Sequence, residues 1–104
     1  MSNEKQRAAL EIRANALERD AKTLYDAVVD SGVKEHLDAF IMRPLDDLRF
    51  LLTRSVASPY KEVYLETATL MLRIAEQQLR SWTHVINRYG GPEHVGSSRA
   101  TTPA

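Results

Sequence analysis

Leu10, Ala14, Leu17, Ala21, Leu24 and Val28 follow one another at steps of three and four residues, with mostly polar side chains between them. A second series, Leu65, Ala68, Leu72, Ala75, Leu79, Trp82, Ile86 and Tyr89, keeps the same rhythm. A step averaging about 3.5 residues holds every member on one side of an α-helix, so each stretch predicts a helix with one apolar seam. Small Ala alternating with large Leu lets two backbones approach while the leucines interdigitate. Between these stretches Leu37, Ile41, Pro44, Leu48 and Leu51 also hold helical spacing. Pro44, however, lacks an N–H, and its ring clashes with the carbonyl of Phe40. The middle helix is therefore expected to be kinked, or split near Arg43.

The boundaries follow from capping chemistry. Asn3 and Gln6 have the spacing of a capping box, which starts the first helix, and Ser31-Gly32 offers a glycine able to close it, giving a helix over 4–31. Ser58-Pro59 supplies a cap and a first-turn proline for the third helix, which runs to Tyr89 and ends at Gly90-Gly91-Pro92. Val95 to Ala104 is rich in Gly, Ser, Thr and Pro and has too little apolar side chain to fold. Outer helices of about 28 and 30 residues would be roughly 40 to 45 Å long. The expected fold is all-α: a three-helix up-down-up bundle with a kinked middle helix over 1–90, followed by a disordered C-terminal tail over 91–104. The competing arrangement is a long helical hairpin that completes its core by pairing with a second copy.

Composition narrows the class. A chain of 104 residues has room for one domain. With no cysteine, it has no disulfides, no thiol catalysis and no Cys-containing zinc site. Fourteen basic and fourteen acidic residues cancel, so any attraction to nucleic acid or an anionic membrane must be local. Met1 to Leu10 is polar, and the longest uncharged apolar-rich run, Thr67 to Leu72, falls far short of a membrane span. The expectation is a cytoplasmic protein with no leader and no membrane contact.

Candidate chemistry is sparse. Metal sites on helices usually place a second ligand three or four residues from the first. Around His36 those positions are Gly32, Val33, Ala39 and Phe40, and around His84 they are Arg80, Ser81, Asn87 and Arg88. None is a carboxylate or a histidine, and His94 lies in the tail, so no metal or cofactor is expected. Asp46 and Asp47 are adjacent, point about 100° apart on a helix, and suit the helix dipole after Pro44 better than acid–base catalysis. No phosphate loop or nucleophile elbow occurs, and the reading is non-enzymatic.

Two surface features remain. Arg73, Gln77, Arg80, His84 and Arg88 line one side of the third helix and could follow a nucleic-acid backbone, although Glu62 and Glu66 begin the same side and Glu76 is spaced to pair with Arg80. Ile12 falls nearly opposite the Leu10 to Val28 seam, Phe50 falls nearly opposite the line through Leu45, Leu48 and Leu52, and Met42 also falls off the middle-helix face. With Leu51 and Tyr25 at the seam edges, these three suggest more apolar surface than an isolated bundle needs, and so a protein interface.

From Asp26 to Asn87 the chain resembles small helical proteins encoded by tailed bacteriophages. The resemblance rests on the hydrophobic segment before Ser58-Pro59, then Lys61-Glu62-Val63-Tyr64-Leu65, then the apolar positions through Leu72, Ile74 and Leu79 around Glu76-Gln77-Gln78. It implies a phage accessory or virion-assembly protein that acts by binding in the host cytoplasm. The reading is a homo-oligomeric protein-interaction or assembly factor using Ile12, Met42 and Phe50, partnered by itself or another protein. The alternative is a nucleic-acid-associated protein using Arg73, Arg80, His84 and Arg88.

Overall fold

A computed structural model describes residues 2–89. The chain forms α1 (Asn3–Ala27), α2 (Ser31–Leu37), a π-helical turn (Asp38–Met42), α3 (Arg43–Arg54) and α4 (Lys61–Arg88). The α2, π-turn and α3 segments run on without a break as one middle helix, so three rods pack up-down-up within a single chain. At one end Asn3 meets Glu62 and Arg7 meets Ser55, and at the other the His36 and Trp82 rings pack together. The bundle measures 59 × 22 × 16 Å, so thin that each helix keeps one face turned outward. The expected tail, the Gly90-Gly91-Pro92 stop and His94 lie outside the described residues.

The core is what the seams dictate. Leu10, Ala14, Leu17, Ala21, Leu24 and Val28 are buried against Leu65, Ala68, Leu72, Ala75 and Ile86, while Leu79 and Trp82 close its edge. Each leucine taken fully out of water contributes about 1.5–3 kcal/mol. Tyr89 departs from the seam: it stands just past the last turn of α4 and is exposed.

The middle helix buries Leu37, Ile41, Leu45, Leu48 and Leu52, and leaves Pro44 and Leu51 only half-buried. The π-turn causes this shift. Its wider coil takes up one extra residue, visible where the Arg43 N–H donates to the carbonyl five residues back, Asp38. Beyond it the inward positions move from 44 and 51 to 45 and 52. Pro44 follows the turn directly, as the second residue of α3. Met42 is corrected by the same geometry: rather than standing off the core, it packs against it.

The helix ends differ from the capping expected of the sequence. Ser2, not Asn3, caps α1, its Oγ accepting from the Lys5 N–H at 3.2 Å. Helix α1 stops at Ala27 rather than residue 31, because Val28 turns extended (ψ 134°) and buries its side chain. Gly32 closes nothing. It sits in the first turn of α2 behind Asp30, whose carboxylate caps that helix by accepting from Val33 N–H at 2.9 Å. A Cβ on Gly32 would come within 3.1 Å of that same carboxylate. Ser58 likewise does not cap α4: it accepts from the Tyr60 N–H, and the helix begins at Lys61.

Candidate functional site

Three cations hold the rods together. Arg7 on α1 donates from Nε to Ser55 Oγ at 2.8 Å and from Nη2 to the Ser55 carbonyl at 3.1 Å, at the end of α3. Arg13 on α1 grips Glu76 on α4 with both prongs, Nε to Oε2 at 3.2 Å and Nη2 to Oε1 at 2.7 Å. That hydrogen bonding raises the guanidinium pKa further, against the lowering effect of partial burial. Arg49 on α3 reaches Asn15 and Glu18 on α1 at 2.9 and 2.6 Å. Glu76 therefore spends its charge on α1, not on Arg80 along its own helix.

Ile12 and Phe50 are exposed at 69% and 59%. Each lies opposite the buried seam of its own helix, and the outward faces of α1 and α3 in a three-helix bundle point in different directions. The structure therefore does not bring them together, and Met42 has joined the core. Phe50 is partly covered by the Arg54 guanidinium, 4.8 Å from its ring centroid.

Helix α4 carries a row of exposed apolar side chains. Val63, Leu70, Ile74 and Val85 are exposed at 59%, 50%, 60% and 45%. Val63, Ile74 and Val85 are eleven residues apart, and eleven residues make just over three full turns, so the three stand in nearly one line along the helix with Leu70 beside them. Small Thr67 and Ser81 lie in the gaps, and Gln77 and Gln78 flank the one between Ile74 and Val85. The seam of Leu65, Leu72 and Ala75 occupies the opposite side, which makes α4 apolar on two faces. Sequence reasoning passed over this second face, yet the eleven-residue spacing was there to find it.

The two edges of the stripe differ. On the side of α1 it is flanked by Glu62 and Glu66, then by Arg73, Arg80 and His84, with Arg88 closing the line, all exposed. Arg80 and His84 also line a groove of about 580 Å³ against Asp20, Thr23 and Leu24 of α1. On the side of the middle helix the edge carries no charge: Tyr64, Met71, Gln78 and Trp82 are half-buried there. Trp82 packs on His36, whose ring also stacks on Phe40 at 5.9 Å and whose Nδ1–H donates to the Gly32 carbonyl at 2.9 Å.

Among the described residues, no group of three His, Cys, Asp or Glu side chains is arranged to hold a metal ion. No helix among them is long and apolar enough to cross a membrane. Comparison with family models, with curated proteins and with solved structures finds no match for this chain.

Proposed function

We propose that this is a non-enzymatic helical assembly protein that works by joining protein chains through the outward face of α4. The observation that carries the reading is the line of Val63, Leu70, Ile74 and Val85, half or more exposed in all but the last, on a rod whose core is already complete without them. Apolar side chains scattered singly need no explanation, but a row running most of the length of a helix is the pattern of a helix meant to be covered. Cytoplasmic placement and the resemblance to phage helical proteins belong to the same proposal, as an accessory or virion-assembly role.

The test compares surface variants. Leu70→Asp with Ile74→Asp should keep the helical circular dichroism of the parent and abolish its association. Ile12→Asp and Phe50→Asp, on the other faces, should leave association intact. A doubly substituted α4 that retains every association of the parent sinks the reading. The second reading, nucleic-acid association, is favoured by the exposed line of Arg73, Arg80, His84 and Arg88. It requires binding that falls steeply with salt. A low-salt titration without DNA or RNA binding removes it.

A further inference from the structure

We infer that the surface covering α4 is α4 of a second copy, running antiparallel about a two-fold axis at Ile74. This rests on the reading of the α4 face as an interface and adds its occupant and register. Charge order along the stripe's α1-side edge favours this pairing. Two helices related by a two-fold perpendicular to their axes bring the same edge of each together, reversed in direction. An edge that is acidic in its first half and basic in its second is then complementary to itself. Here Glu62 and Glu66 come first, and Arg80, His84 and Arg88 come last. In the reversed pair Glu62 meets Arg88 of the second copy, and Glu66 meets Arg80 and His84. A parallel pair, related by a two-fold along the helix axes, would instead set this charged edge against the uncharged one of Tyr64, Met71, Gln78 and Trp82 and leave its charges without partners.

The apolar row gives the same register independently. Because Ile74 lies midway between Val63 and Val85, reversing the helix about Ile74 places Val63 on Val85 of the second copy and Ile74 on itself. An eleven-residue spacing suits nearly straight helices lying side by side. The small Thr67 and Ser81 fall opposite each other in this register and allow close approach. Arg73, one residue from the axis, meets Gln77 and Arg73 of the second copy and no acid, so like charges oppose the pairing at its centre and the attraction comes from the two ends of the edge. The opposite edge, with Tyr64, Met71, Gln78 and Trp82, brings no charge to oppose the pairing.

The chain has no cysteine, so single thiols can report the register. Ile74→Cys should form a disulfide-linked dimer under mild oxidation. Val63→Cys should cross-link when mixed with Val85→Cys and fail to do so alone. In parallel, Glu62→Arg/Glu66→Arg makes the edge wholly basic, and Arg80→Glu/His84→Glu/Arg88→Glu makes both of its ends acidic, leaving only Arg73 basic near the axis. Each should self-associate about tenfold or more weakly than the parent, and the two mixed should pair one to one. Cross-linking of Val63→Cys alone would replace the antiparallel arrangement with a parallel one. A parent that stays monomeric at every concentration, with no cross-link at Ile74→Cys, overturns self-pairing. The broader reading of α4 as an interface survives that outcome, because only a Leu70→Asp/Ile74→Asp variant with undiminished associations overturns it.

Discussion

The guanidinium of Arg7 holds both oxygens of Ser55, donating to its hydroxyl at 2.8 Å and to its carbonyl at 3.1 Å. Ser55 is the one fully buried polar residue among those described, and its hydroxyl in turn donates to the Leu52 carbonyl at 2.7 Å. Helix α3 ends here without a glycine. A cation from α1 does the work of a C-cap, satisfying a terminal carbonyl and meeting the negative end of the helix dipole. Arg7→Ala strands that carbonyl, and should lower stability by about 1–3 kcal/mol, read as a fall in the chemical denaturation midpoint. Ser55→Ala, which keeps the carbonyl bond, should cost less.

Helix α1 is closed the same way. Lys34 Nζ donates to the Tyr25 carbonyl at 2.6 Å and lies 4.2 Å from the centre of the Tyr25 ring. Lys34→Met keeps the aliphatic stem and removes the charge. It should lower stability by roughly 1 kcal/mol, and amide exchange should show the loss as faster opening of the last turn of α1.

Arg13 and Glu76 join α1 to α4 by a bidentate pair with side chains 42% and 25% exposed. At that exposure, solvent screening limits the coupling to about 0.5–1 kcal/mol. A double-mutant cycle with Arg13→Ala and Glu76→Ala should return that value, shrinking as salt is added. A coupling indistinguishable from zero at low salt would mean that the two-pronged geometry is not maintained in solution.

Met42 discriminates between core and surface. Because it packs against the core, Met42→Asp should unfold the protein or lower its melting temperature sharply. Phe50→Asp, on an exposed face, should change stability by no more than about 0.5 kcal/mol beyond the loss of its contact with Arg54. Equal effects of the two would contradict the π-turn that brings Met42 inward.

What was legible in the sequence was local and periodic. The seams of α1 and α4 read directly because each keeps its own rhythm, whatever it packs against. The helix ends did not, because Lys34 and Arg7 reach them from other helices and leave no signal beside Ala27 or Arg54. The line through Leu45, Leu48 and Leu52 was legible as well and is buried, while the series continued through Pro44 to Leu51 carries the wrong phase, because a π-turn adds one residue to the coil. Glu76 shows the limit of spacing rules, since its neighbour four residues along is Arg80 and its partner is Arg13. The outward row of Val63, Ile74 and Val85 was within reach of the same counting that found the seams.

The central claim is that α4 is covered by another α4, and the mass of the unmodified protein in solution tests it most directly. Light scattering behind a sizing column, over a wide concentration range, should give twice the chain mass of 11.8 kDa, falling towards one chain mass on dilution. A mass of one chain at every concentration would contradict the account.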